Sequence, residues 1–498
     1  MKQAVCSGVD ESFIPRLMST WVRTVFLGGY ILLACWSLFY GAGSVASLAF
    51  FHLSFLLLVV LAFLRPLSQG YCFLVFFLFL GFWLKWLVHE VFDYPFVEPV
   101  GGYLGEPEQV DLALGIASFA ALGVAASRLL QFYLAKVHSI GGRERASDSY
   151  PPVYGRFFVL VWAILVPFAL ALYFLNYHFA FFQVGVNARL VLPFGINAII
   201  SWAVYCGMPM FFVLVLDWEI ARRPERYWSI VFGVCLFALV MSVSMASRAV
   251  LPFLYLAVGV SLYFHKRDYL AKMIASWRWR LPLVMSFFFV LALFLVSVFR
   301  LDAYQPPQTV VVPEGNSSQE RVVLQAEREV QSSARYEGMF FQVLRLSVDR
   351  WIGMEGALAV ASSDEPSMSL LIAGITESPS NGVDAVYQRI AGSFYEHQAD
   401  FTFLTLPGAA AVLFYGGSLL IVFLGMMFLA SVVYIVEKFS LSMSGSRLLS
   451  SWVALLLANS VCQMNFPYLW GVFVLECMVA LLALGIGRVL FIRESAYD

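Results

Sequence analysis

Long apolar runs follow one another along most of the chain. A run of ~20 apolar residues can cross the hydrocarbon core of a bilayer. Such runs fall near residues 24–41, 46–64, 71–90, 110–132, 156–176, 191–216, 227–243, 249–265, 281–299, 403–434, 448–464 and 467–488. The run from Phe401 to Val436 is longer than one span needs, so we expect a break near Pro407-Gly408. The pattern predicts an all-α polytopic membrane protein with about 12 transmembrane helices.

One long polar segment, from about Arg300 to Asp400, separates the ninth run from the tenth. It divides the chain into 1–299 with nine spans, 300–402 as a large loop, and 403–498 with three spans. After Arg300 the loop contains fourteen acidic residues, six arginines and no lysine. Apolar spacing in the loop predicts helices at 319–346, 351–361, 366–375 and 383–390. We therefore expect a small helical cap that lies on the membrane.

Lysine and arginine concentrate in every second connection, which is typical of cytoplasmic loops. The residues are Lys136, Arg143, Arg145, Arg222, Arg223, Arg226, Lys266, Arg267, Lys272, Arg278, Arg280, Lys438 and Arg447, with Lys2, Arg16, Arg23, Arg488 and Arg493 near the termini. This distribution predicts that both termini are cytoplasmic and that the large loop faces outward. Composition agrees with a membrane protein, because 61% of the residues are hydrophobic and only 13% are charged. A net charge of −1 without a basic tail gives no sign of a nucleic-acid partner.

Several cations are predicted at or near the outer boundary of the membrane. They are Lys85, Arg189, Arg248 and Arg300. Charges at this depth are costly and are usually functional or paired. Lys85 could pair with Glu90 or face a cavity. In the loop, Arg345 and Arg350 stand beside apolar sequence that must pack on the membrane domain, although pairing with the loop's own acids is the alternative.

His397 lies where the loop returns to the bilayer, in Tyr-Glu-His-Gln-Ala-Asp. A neutral imidazole there could take a proton from a hydroxyl group, so His397 is the candidate base. The alternative is a surface histidine without a role. The sequence has no metal-ligand spacing and no glycine-rich phosphate loop, so we predict no metal, no cofactor and no use of ATP.

In its architecture the chain resembles bacterial O-antigen polymerases of the Wzy type. About a dozen spans, cytoplasmic termini and a large late periplasmic loop carry the resemblance. That family is associated with an Arg-x10-Gly pattern in its periplasmic loops, and Arg345 to Gly356 fits this pattern. Arg248 to Gly259 also fits, whereas Arg189 is followed eleven residues later by Ile200 and departs from it.

The resemblance implies a GT-C-like fold and a metal-independent glycosyltransferase in the bacterial inner membrane. Its donor and acceptor would be undecaprenyl-diphosphate-linked oligosaccharides, and a chain-length regulator protein would be a further partner beside the membrane lipid. Fixed arginines would stabilise the charge that develops on the diphosphate leaving group. The hypothesis assigns diphosphate or glycan binding to Arg248, Arg300, Arg345 and Arg350, with Arg189 and Lys85 nearby, and the base to His397.

Other functions fit the same sequence. An O-antigen ligase has similar topology and chemistry but transfers the polymer to lipid A-core. A metal-dependent transferase that uses lipid-phosphate sugars would need an acidic pair in an early outer loop, where Glu106-Pro107-Glu108 is a poor match. A lipid-linked oligosaccharide flippase or other transporter, which would make no new bond, is the alternative of another class.

Overall fold

The computed structural model describes residues 13–63, 68–138, 150–193, 195–303, 348, 350–393 and 404–494. These residues are almost entirely helical. The helices that follow the apolar runs are α1 (Phe13–Tyr40), α2 (Val45–Ala62), α3 (Gln69–Phe92), α4 (Pro107–His138), α5 (Pro152–Phe179), α6 (Ile196–Arg222), α7 (Tyr227–Ser244), α8 (Val250–His265) and α10 (Arg280–Ala303). A short helix, α9 (Arg267–Trp277), connects α8 to α10.

The second half of the described chain begins with short helices and ends with long ones. They are α11 (Met354–Ala361), α12 (Met368–Thr376), α13 (Val386–Ala391), α14 (Gly408–Phe414), α15 (Leu419–Ser444), α16 (Arg447–Cys462) and α17 (Pro467–Glu494). A single 3-10 turn, Pro379–Asp384, precedes α13. Within the described residues, nine helices are long and apolar enough to cross a membrane. Three shorter apolar helices, α1 from Thr24, α8 and α16, fall at the other predicted runs. The chain is therefore a multi-pass membrane protein, and the count of twelve spans stays a prediction.

Contacts between helix ends define two opposite faces of the bundle. On one face Glu437 of α15 meets the start of α3, and Asp217 of α6 meets Lys266 and Ser446. We call this the basic face, because it holds the predicted cytoplasmic connections. On the other face, which we call the loop face, Glu90 of α3 accepts hydrogen bonds from Ser37 Oγ and the Ala42 amide.

The core of the bundle is built around α4 and α16. Nearly every residue of α16 is buried, which suits a helix that is apolar all round. On α4 a Cβ at Gly123 would lie only 2.3 Å from the Phe423 carbonyl oxygen of α15. Small residues allow such a close approach of membrane helices. By contrast, α5, α10 and α17 have few buried residues and form the outer surface of the bundle.

The long run from Phe401 to Val436 is interrupted near Pro407-Gly408, as predicted, and once more before α15. Gly408 begins the short buried helix α14, and the chain turns again between Tyr415 and Ser418 before α15 starts at Leu419. Gly408 has φ +74 and donates its amide to the Met464 carbonyl, so it starts the helix instead of dividing it. The break near Pro407-Gly408 is thus the start of a separate short helix.

Candidate functional site

The loop predicted to lie on the membrane instead enters the bundle between Trp351 and Ala361. Met354 to Val360 are all buried, including the acidic residue Glu355. Ile352 lies against α3 so closely that a Cβ at Gly81 would be 2.1 Å from its carbonyl oxygen. Gly356 lies equally close to the Pro407 backbone. The glycines at these positions let the loop backbone pack directly on helix backbone.

Lys85 of α3 is the cation that holds this segment in place. Its side chain is fully buried and forms an ion pair with Glu355. Its Nζ also donates to the Trp351 carbonyl oxygen at 2.8 Å. Burying an ion pair costs desolvation, and each charge then needs its partner. Lys85 therefore anchors the loop, and its carboxylate partner is Glu355, because Glu90 is engaged at the α1–α2 connection.

A π-helical turn precedes Lys85, over Phe79–Leu84. A second π turn, Ala203–Gly207, interrupts α6. Single π turns inside α-helices are rare and often occur at functional sites. The first one contains Gly81 and thus lies at the contact with Ile352. Nothing in the hydrophobic pattern indicated either turn.

Three of the other predicted arginines lie around the ends of α5, α7 and α10. Arg300 donates from Nε to the Ala246 carbonyl oxygen at 3.1 Å, in the α7–α8 turn. Arg248 follows in the same turn, is exposed, and makes further contacts of its own. Arg189 donates from its guanidinium to the His178 carbonyl at the end of α5. Since helix C-termini leave carbonyls without partners, Arg300 and Arg189 each stabilise a helix end.

Arg189 is less deeply placed than the sequence suggested. Helix α6 begins at Ile196, so Arg189 belongs to the connection before it and is exposed. The connection packs on the α7–α8 turn, because the Val184 amide donates to the Met245 carbonyl at 3.0 Å. Asn176 of α5 also donates to the Ser244 carbonyl and hydroxyl. Arg189, Arg248 and Arg300 therefore lie in one group of connected segments on the loop face.

Two parts of the loop face lie at similar levels along the bundle axis. One is the α7–α8 turn with Arg248 and Arg300, and the other is the segment anchored by Lys85. Phe77 of α3 contacts Phe253 of α8 with ring centroids 5.6 Å apart, so these positions are level. Gly81 lies four residues above Phe77, which is about 6 Å at the rise of an α-helix. Helix α8 begins at Val250, three residues before Phe253, which is about 5 Å toward the same face. The start of α8, which follows Arg248, is thus near the level of Gly81, against which Ile352 packs.

Helix α3 therefore extends farther toward the loop face than the α7–α8 turn does. Beyond Gly81, α3 continues for eleven residues to Phe92, which is about 16 Å. The α7–α8 turn stops near the height of Gly81, and Arg248 is exposed there. Arg350, also exposed, directly precedes the anchored Trp351. Arg248 and Arg350 are thus two exposed arginines of the loop face.

The remaining elements of the loop build a layer over the bundle. The predicted helices at 351–361, 366–375 and 383–390 are observed as α11, α12 and α13. The buried Gln388 exchanges hydrogen bonds with the Thr405 backbone, and the Gly101 amide donates to the Ala391 carbonyl. Burial raises the pKa of the Tyr387 hydroxyl, which therefore stays neutral. Helix α11 of this layer rests on α4 and α14.

Two predicted site residues, Arg345 and His397, lie outside the described residues, as does the predicted helix at 319–346. Their roles stay predictions. Within the described part of the chain, no group of three His, Cys, Asp or Glu side chains could hold a metal ion.

Sequence reasoning did not single out Glu355 or Gly81. One feature of the sequence could have indicated Glu355: it is the single acid in the otherwise apolar stretch Met-Glu-Gly-Ala-Leu-Ala-Val. If such a stretch is buried, its charge needs a partner.

Comparison with known proteins gives no relative for this chain: no family model, curated protein or solved structure matches it.

Proposed function

We propose that the chain is a glycosyltransferase that joins lipid-diphosphate-linked oligosaccharide repeat units on the outer face of the bacterial inner membrane. The observation that supports it best is the anchored segment after Arg350. The Lys85–Glu355 ion pair fixes that segment on the loop face, where Arg248 is also exposed. Positioned arginines suit phosphate oxygens because a guanidinium keeps its charge and offers a planar pair of donors.

In this proposal Arg248 and Arg350 contact the diphosphate, and Arg300 and Arg345 complete the positive surface. The charge on the leaving diphosphate grows in the transition state, so fixed cations lower the barrier. His397 would take the proton from the acceptor hydroxyl as the new glycosidic bond forms. Arg189 and Lys85 act as positioning residues, since each holds backbone carbonyls.

The test uses the purified full chain in liposomes with lipid-diphosphate-linked repeat units, and products are separated as a ladder. Arg248→Ala and Arg350→Ala should each lower the polymerisation rate by roughly 100-fold, as expected when one fixed donor to a transition-state charge is removed. The matched control is Arg156→Ala, an exposed arginine on the basic face that should leave the rate unchanged.

Three results would contradict the proposal. Full ladders from both Arg345→Ala and His397→Ala at normal protein levels would exclude the assigned site. Transfer of preformed polymer to lipid A-core, without growth of the polymer, would indicate a ligase. Movement of lipid-linked units across the bilayer without a new bond would indicate a transporter.

A further inference from the structure

A second positive surface lies on the opposite, basic face, where α7 begins and α10 begins. Arg226, Arg278 and Arg280 are all exposed there. Contacts of Tyr227 with Tyr269 and of Trp228 with Trp277 bring the start of α7 against α9. Within the described residues, none of the three arginines forms an ion pair with a carboxylate.

The surrounding charge is also mostly positive. Arg267 and Lys272 of α9 are exposed, and the nearby acids in sequence are Glu225 and Asp268. Burial raises the pKa of the Tyr269 hydroxyl, so this tyrosine adds no negative charge at neutral pH. Five cations against two acids leave a net positive charge at this end of the bundle.

An apolar surface continues from these arginines along the two helices. Trp228 and Phe232 on α7 are 46% and 43% exposed, and Leu283 and Phe287 on α10 are 56% and 59% exposed. The helices pack together, with the rings of Phe232 and Phe288 6.0 Å apart. Both helices are long and apolar enough to cross the membrane, so the exposed side chains face acyl chains.

Helix α9 marks the level of the membrane boundary. Its eleven residues would span about 16 Å, too short to cross a bilayer. Met273 and Trp277 are buried against the bundle, while Arg267, Lys272 and Ile274 are exposed. The next residue after Arg278 is Trp279, which is 66% exposed, and tryptophan favours the membrane interface. Such a helix lies in the interface with its cations among the headgroups.

We propose that an anionic phospholipid binds at the junction of α7, α9 and α10, with its headgroup phosphate on Arg278 and Arg280. Its acyl chains lie along Trp228, Phe232, Leu283 and Phe287, and Arg226 adds charge from the other side of the headgroup. The charge selects an anionic over a zwitterionic lipid, since juxtamembrane cations attract anionic leaflets. The site is independent of the chemistry proposed for the loop face.

Native mass spectrometry of the full chain in detergent tests this site, with phosphatidylglycerol and phosphatidylcholine as probes. Wild type should bind phosphatidylglycerol more tightly. The variant Arg278→Asn/Arg280→Gln should weaken phosphatidylglycerol binding about tenfold and leave phosphatidylcholine binding unchanged. Asparagine is chosen because Arg278 has φ +41 and ψ −113, close to the first central position of a type II′ turn, where glycine, asparagine and aspartate are the common residues.

The matched control is Arg156→Gln/Lys438→Gln, which also removes two charges from the basic face but on α5 and α15, not on α7, α9 or α10. Equal loss in both variants would overturn the site, as would equal binding of the two lipids to wild type. Binding of soluble glycerol phosphate as tight as that of the lipid would show a phosphate site without a role for the acyl chains, and would also overturn it. Size-exclusion elution of each variant confirms that it is folded.

Discussion

Lys85 and Glu355 illustrate how a charge can be placed in a membrane bundle. The two residues are 270 positions apart and almost fully buried. The sequence predicted that Lys85 needed a partner or a cavity. It could not identify Glu355 as that partner, because the path of the loop into the bundle depends on tertiary packing. Gly81 and Gly356 permit that path. Glycine is common in membrane helices, however, so a glycine alone does not predict a close backbone contact.

Removing one partner of this pair should destabilise the protein strongly. Lys85→Met or Glu355→Leu leaves an uncompensated buried charge. Such a change lowers the free energy of unfolding by roughly 3–5 kcal/mol. Thermal unfolding in detergent measures the loss. The control is Arg389→Gln, which breaks the exposed pair with Glu365 and should cost less than about 1 kcal/mol. Equal effects at the two sites would mean that the buried pair does not anchor the loop.

Side chains of one helix fix the end of another in this bundle, and Glu437 is an example. Its carboxylate accepts from Ser68 Oγ and from the amides of Gln69 and Gly70, which are the first donors of α3. These amides have no partner within their own helix. The pattern of apolar runs placed α3 and α15 correctly, but it carried no sign that an acid on one would cap the other.

Glu437→Ala should therefore lower stability by roughly 1–3 kcal/mol, because buried amides lose their acceptor. Asp111→Ala, which removes an exposed acceptor for the Ser44 amide, should cost roughly 1 kcal/mol. Chemical denaturation of both variants in the same detergent gives the comparison. If Asp111→Ala proved the more costly, the capping role of Glu437 would be wrong.

Among the described residues, the contacts between ends of the long helices alternate between the loop face and the basic face along the chain. Glu90, Asn176 and Arg300 link ends on the loop face, while Asp217 and Glu437 link ends on the basic face. This alternation agrees with the order predicted from apolar runs. The inward path of residues 351–361 could not be predicted, because its hydrophobicity suits either a surface layer or a buried one.

Reporter fusions test the orientation of the molecule. Fusions within 139–149, or at residues 224 and 446, should be active only as cytoplasmic reporters, because Lys and Arg favour that side. Fusions at residues 104 and 380 should be active only as periplasmic reporters. A reversal at every position would mean that the whole molecule has the opposite orientation. A reversal confined to positions after 249 would mean that α8 does not cross the membrane.

The π turn at Phe79–Leu84 has a consequence for the length of α3. It holds one residue more than the α-helical spacing requires, so the half of α3 that carries Lys85 is rotated relative to the half that carries Gly70. If this turn relaxed to regular α-helix with all of its residues retained, the outer half would turn by about 100°. The capped end would keep its contact with Glu437, while Lys85 would point away from Glu355. Deleting one residue within 79–84 would remove the π turn but leave Lys85 facing Glu355, so the extra residue and the π turn must be kept or lost together.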